Sequence, residues 1–176
     1  MGADRVLLLT GVLGIGKTTV IRHVADRLKG RNLGGFYTEE IREHGVRRGF
    51  RLVGFDGIER VIAHVDFPKV HRVGKYGVDV RQIDEAADRL TQRPAEVTLI
   101  DEIGKMECLS DRFVNRMRTL LDGPRPVIAT LARHGSSFIE EVKRAEGVVL
   151  WEVTSANRDT LAVQVVQWLM ERGRGD

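Results

Sequence analysis

The chain has 176 residues, 42% hydrophobic and 30% charged, a length that suits one domain (1–176) and an apolar fraction that supports a core. With 19 Gly and 4 Pro, collagen-like and low-complexity chains are excluded. The formal charge is only +3; 22 of the 28 basic residues are Arg, whose forked donors suit phosphate oxygens, but no run of five like charges exists and nucleic acid draws only weak support as a partner.

The single Cys108 rules out an internal disulfide and a cysteine-rich metal site, so a reducing, cytoplasmic location is expected. The apolar stretch from Val6 to Ile15 is shorter than the ~18 residues a membrane span needs. It also lacks a following small-residue cleavage site, so a mature amino terminus and no membrane association are expected.

In chain order, Arg5 to Thr10 (RVLLLT) reads as a strand buried on both faces of a parallel sheet. A glycine-rich turn follows, and Ile21, Val24, Ala25 and Leu28 then fall on one face of a helix ending near Gly30. The interval 34–78 departs from this rhythm. GFYTEEIRE, a His44-Gly45 turn and RRGFRLVGFD alternate like an antiparallel hairpin, so the interval is read as a hairpin-rich insertion. A helix from about Val80 to Leu90 has Asp79 as cap and Gln82 three residues on.

Three strand-helix pairs complete the chain: Glu96 to Asp101 before Asp111 to Leu121, Pro126 to Ala132 before Ser136 to Arg144, and Gly147 to Val153 before a helix carrying Leu161, Val165, Trp168 and Leu169, with Asn157 as N-cap. The alternation predicts an α/β three-layer sandwich with a mostly parallel sheet.

Two motifs carry chemistry. Residues 11–18, GVLGIGKT, fit G-x-x-x-x-G-K-[ST], the phosphate-binding P-loop or Walker A motif, placed between a buried strand and a helix as its mechanism requires. Gly11, Gly14 and Gly16 let the backbone curl around phosphate, Lys17 reaches the β and γ oxygens, and the Thr18 hydroxyl is a ligand for Mg²⁺. A dinucleotide fingerprint is excluded, because Gly14 and Gly16 are followed by Lys17, Thr18 and Thr19. The second motif, VTLIDE at 97–102, is an apolar strand ending in two carboxylates, a Walker B pattern. Asp101 is expected to hold Mg²⁺ and Glu102 to deprotonate the attacking water.

The other candidates are weaker. Arg42, Arg47, Arg133 and Arg158 are the candidates for a charge-stabilising Arg, each with a surface role as the ordinary alternative. Thr130, at a strand end, is a candidate γ-phosphate sensor. His64, Asp66 and His71 share a loop-like segment whose spacing fits no common zinc pattern, so they read as exposed loop residues. Cys108 reads as a small packed residue, and Trp151 and Trp168 as core or half-buried aromatics.

With these motifs in place, the chain resembles the small P-loop nucleoside-triphosphatases that include the cancer-related NTPase and its thermophile relatives. The resemblance rests on GVLGIGKTT at 11–19, GFYTEEIRE at 35–43, RRGF at 47–50, VGKYGVDV at 73–80 and LIDEIGKMEC at 99–108. It implies Mg²⁺-dependent hydrolysis of several nucleoside triphosphates to diphosphate and phosphate with little base selectivity. It also implies an additional strand between the P-loop and Walker B strands, and a catalytic Glu at 102. The expected nucleotide-binding set is Gly11, Val12, Leu13, Gly14, Ile15, Gly16, Lys17, Thr18 and Thr19 with Asp101, Glu102, Ile103, Gly104 and Lys105. Lys17 and Glu102 are the catalytic pair, and Thr18 and Asp101 the metal ligands. Leu13 departs from the Pro common at that point of the family's loop. Two other readings stand beside hydrolysis: phosphoryl transfer to a nucleoside or nucleic-acid 5′-hydroxyl held by the hairpin or the 65–78 segment, and a nucleotide-switched nucleic-acid-binding module.

Overall fold

The computed structural model describes residues 4–172. Its first strand, β1 (Val6–Thr10), has Leu7, Leu8 and Leu9 wholly buried, as a run without polar alternation requires when both sheet faces are covered. Val6 and Leu8 point into one core and Leu7 and Leu9 into the other, which is the period-2 alternation of a strand between two helical layers.

The core containing Leu7 and Leu9 is closed by α1 (Lys17–Arg27) and α5 (Leu161–Arg172). The opposite one is closed by α2 (Val80–Gln92), α3 (Asp111–Leu121) and α4 (Ser137–Lys143). The expected three-layer sandwich is therefore present. Among the described residues no helix is long and apolar enough to cross a membrane.

Among the described residues the sheet has nine strands. The remaining ones are β2 (Leu33–Glu43), β3 (Val46–Gly54), β4 (Glu59–His64), β5 (Arg72–Val73), β6 (Tyr76–Val78), β7 (Val97–Ile103), β8 (Val127–Leu131) and β9 (Val148–Glu152), in the order β5-β6-β4-β3-β2-β7-β8-β1-β9. Strands β2, β7, β8, β1 and β9 are parallel neighbours, and β3, β4, β6 and β5 continue the same sheet antiparallel. The β8 strand lies between β1 and β7, where the resemblance requires an additional strand.

The interval 34–78 is thus an extension of the sheet rather than a separate layer. Its strand β2 belongs to both halves: Leu33 to Phe36 pair parallel with β7, and Phe36 to Glu43 pair antiparallel with β3. The predicted turn sits at His44 (φ 49°) and Gly45 (φ 78°), the left-handed pair that a two-residue hairpin turn demands.

Three local expectations are corrected. Asp79 caps α2 by accepting from the Arg81 amide at 3.1 Å, but Gln82 does not reach back to complete a capping box, because its Oε1 accepts from Arg60. Asn157 does not cap α5: its side chain accepts from the Thr154 amide and donates to the Glu152 carbonyl, and a separate turn intervenes before Leu161. The segment read as a loop around His64 is also partly regular, since His64 ends β4.

Candidate active site

The site lies beyond the carboxyl ends of β1, β7 and β8, the edge where open parallel sheets bind ligands. Gly11 leaves β1 so close to β9 that a Cβ there would stand 2.8 Å from the Val153 carbonyl. Gly16, at φ 112°, turns the chain into α1. No side chain caps this helix and no acid occupies its first turn, so its positive end and its unpaired amides face the cleft, as an anion site needs.

Lys17 folds back over the loop, with Nζ donating to the Gly11 carbonyl at 3.1 Å and lying 3.8 Å from Glu102 Oε2. Thr18 Oγ1 donates to Asp101 Oδ2 at 2.7 Å. The register of β7 against β8 slips between Ile100 and Ile103, at the two acids of the Walker B pattern. Asp101 is 2% exposed, whereas the Glu102 side chain is 32% exposed and opens to the cleft.

Three threonines surround the buried carboxylate. Besides Thr18, Thr130 Oγ1 donates to Asp101 Oδ1 at 2.6 Å and the Thr38 amide donates to Oδ2 at 3.2 Å, while Thr38 Oγ1 donates to the Asp101 carbonyl at 2.5 Å. Burial pushes the Asp101 carboxyl above its ordinary range, against these donors and the Lys17 charge. Burial likewise raises Glu102, opposed by Lys17. A hydroxyl and a carboxylate brought together beside the P-loop are hard oxygen donors of the kind Mg²⁺ takes, so the residues present fit that ion.

Several expectations change here. Thr130 is wholly buried and spends its hydroxyl on Asp101, so it orients the carboxylate and does not sense phosphate. Ile103 is also wholly buried and packs in the core with α2 and α3, so its side chain is no part of a nucleotide surface. Val12 and Leu13 are exposed, Leu13 by 88%. Lys105 lines the cleft.

Of the four arginines, Arg47 and Arg133 line the cleft. Arg47 is paired with Glu40 at 2.9 Å and Arg133 with Glu152 at 3.4 Å. Arg158 lies against the P-loop, 3.4 Å from the Ile15 carbonyl, and Arg42 ties the hairpin through Glu40 and the Gly45 carbonyl. No group of three or more His, Cys, Asp or Glu suited to a metal occurs among the described residues.

Sequence reasoning missed Thr38, which the pairing of β2 with β7 brings beside Asp101. It also missed Glu107, in a short 3₁₀ turn at Glu107–Leu109. Glu107 is 4% exposed, and its carboxyl is pushed up to about 8 by burial, with the nearby Glu102 and Asp101 charges adding to the effect. A Cβ on Gly104 would stand 2.8 Å from Glu107 Oε2 and 2.9 Å from Glu102 Oε1, so both acids converge on a glycine that makes room for them. The apolar context of Cys108 raises its thiol to about 11, which suits packing and not nucleophilic attack. The whole cleft has a volume of about 880 Å³.

Comparison with known proteins agrees with this geometry. Residues 6–166 match the model of a family described as NTPase. A nucleoside-triphosphatase THEP1 from Thermotoga petrophila is 40% identical over 173 residues, covering 97% of this chain and 95% of the relative. The THEP1 from Aquifex aeolicus is 35% identical and covers 94% and 99%. The crystal structure of THEP1 from Aquifex aeolicus superposes with a TM-score of 0.81 at 32% identity, over 92% of this chain and 97% of that one. The solution structure of a human cancer-related nucleoside triphosphatase does so with a TM-score of 0.82 at 33% identity, over 95% and 98%. With its P-loop, paired acids and sheet order in place, the chain belongs to the NTPase family.

Proposed function

We propose that this chain is an Mg²⁺-dependent hydrolase of nucleoside triphosphates, releasing diphosphate and phosphate, and that it works in the cytoplasm. The observation that carries this reading is the convergence of Lys17, Thr18, Asp101 and Glu102 at the mouth of one glycine loop, within 2.7 to 3.8 Å of one another in linked pairs. The uncapped start of α1 and the loop amides bind the phosphates, and Lys17 exchanges its contact with the Gly11 carbonyl for β and γ oxygens. Thr18 and Asp101 would hold Mg²⁺, which would supply neutralisation of charge developing on the phosphate oxygens. Glu102 accepts the proton of the attacking water on the far side of the γ-phosphorus.

Binding through backbone amides and one lysine reads the phosphates and not the base, which supports acceptance of ATP, GTP, CTP and UTP. Arg47 and Arg133 are both engaged by carboxylates, so slow turnover is expected, on the order of 10⁻⁴ to 10⁻³ per second as for P-loop hydrolysis without an inserted arginine. The test is phosphate release from the four triphosphates with Mg²⁺, alongside Glu102→Gln. Comparable release from all four, lost in the variant while nucleotide binding persists, is the expected result. Full activity of Glu102→Gln would remove Glu102 as the base.

A further inference from the structure

The cleft does not stop at the residues that account for a triphosphate. Across the sheet the order runs β9, β1, β8, β7, β2, β3. A path from the P-loop past Glu102 on β7 therefore reaches Glu40 on β2 and then Arg47 and Phe50 on β3, and Val73 and Tyr76 from β5 and β6 border the same cleft. In that strand order Glu102, the base proposed above, sits on a strand between that of the P-loop and this wall, so this end is the one from which a nucleophile would meet it.

A water molecule needs none of what is built there. Phe50 and Tyr76 meet edge to face, with ring centroids 5.1 Å apart. The Arg47 guanidinium lies 5.3 Å from the centre of the Phe50 ring, and its Nε donates to the Tyr76 hydroxyl at 2.9 Å. Tyr76 is 6% exposed and packs in the core, so the planar groups left to meet a flat ring are the half-buried Phe50 ring and the Arg47 guanidinium, both held in place by Tyr76. The charge balance selects further. Arg47 is taken up by Glu40 at 2.9 Å, so its charge is met within the protein, and at Glu40 a phosphate-bearing ligand meets a negative charge while a hydroxyl group meets an acceptor.

We propose that this end of the cleft is an acceptor site for a neutral, ring-bearing alcohol of the nucleoside class, so that the protein transfers the γ-phosphoryl group to a hydroxyl as well as to water. The inference rests on the hydrolytic reading above and adds a second substrate to the same centre. The acceptor oxygen forms a bond to the γ-phosphorus as the bond from that phosphorus to the bridging oxygen breaks. The diphosphate leaves with the bond's electron pair, and the hydroxyl proton passes to the Glu102 carboxylate. The products are a nucleoside monophosphate and a nucleoside diphosphate, and no further reactant is required.

The test incubates the full chain with Mg²⁺, γ-labelled ATP and adenosine, guanosine, cytidine or uridine in turn, and separates labelled free phosphate from labelled nucleoside monophosphate. Monophosphate is expected with at least one nucleoside, in a ratio to free phosphate that rises to saturation with acceptor. Phe50→Ala is expected to lower that ratio about tenfold, the usual scale for loss of one stacking ring. Val73→Trp, which fills the end of the cleft without removing a ring from the hairpin, is expected to lower it as well.

Phosphate release without ester from any of the four overturns the acceptor site and leaves hydrolysis standing. Ester formed in an unchanged ratio by both variants overturns its location. Labelling of a 5′-hydroxyl oligonucleotide but of no free nucleoside overturns the choice of a small neutral acceptor. Absence of both phosphate and ester removes the hydrolytic reading and the proposal with it.

Discussion

At the scale of single residues, the two acids of the Walker B pattern owe their different roles to their surroundings. Asp101 is enclosed by hydroxyls from Thr18 and Thr130 and an amide from Thr38, which fix both of its oxygens, whereas Glu102 opens to the cleft beside Lys17. Glu107 is the third acid, and its burial yields a prediction about stability. Its folded pKa, about 8, lies above the ordinary 4.5, so the folded state binds more protons than the unfolded one between those values. That contribution is fully present below pH 4.5, declines as pH rises, and is gone above about 8. Relative to Glu107→Gln, the native chain should therefore lose stability across this window, by at most about 1.4 kcal/mol per pH unit. Urea unfolding of both proteins at the two ends of the window checks this; a difference independent of pH would show that Glu107 titrates normally.

At the scale of elements, β2 is the strand on which the site depends most. It runs beside β7 at one end, where Thr38 reaches Asp101, and carries one limb of the hairpin at the other. The close approach to β7 is possible because residue 35 is glycine: its φ is 97°, and a Cβ would lie 1.8 Å from the Leu99 carbonyl oxygen. Gly35→Ala should cost more than about 3 kcal/mol, since left-handed strain adds to a clash with backbone that cannot yield. Gly57, at φ 84° with nothing within 4 Å, supplies the comparison: Gly57→Ala should cost only the strain, about 1–2 kcal/mol. Equal midpoints of denaturation for the two variants would contradict this account.

For the whole molecule, the site draws on parts far apart in the chain: residues 11–18 from one βα turn, Thr38 from β2, the acids from β7 and Thr130 from β8. A ligand that ties them should therefore stabilise the entire fold. With Mg²⁺ and a non-hydrolysable nucleoside triphosphate at about a hundred times Kd, the gain should be about 2.7 kcal/mol, a rise in Tm of roughly 5–10 °C for a chain of this size. Calorimetry with and without EDTA checks it. A nucleotide-induced shift that survives removal of the metal would argue against Thr18 and Asp101 as its ligands.

Much of this was legible in the sequence because the signals are local. The run RVLLLT reads as a doubly covered strand, the glycines and Lys17 read as a phosphate loop, and His44-Gly45 reads as a tight turn, since each follows from the stereochemistry of a few adjacent residues. The sequence by itself thus determined the parallel strands, the helices and the first hairpin, along with the P-loop and the two acids beside it, but not the strands β4, β5 and β6. Only the tertiary structure decided that β8 lies between β1 and β7, which turns Thr130 inward onto Asp101. It also decided that Asn157 serves a turn and not a helix, that Glu107 is buried beside Glu102, and that Arg47, Phe50 and Tyr76 meet in one wall. These depend on which distant strands become neighbours, and that is settled by burying both faces of the sheet at once, a condition on the whole chain that no short window of residues contains.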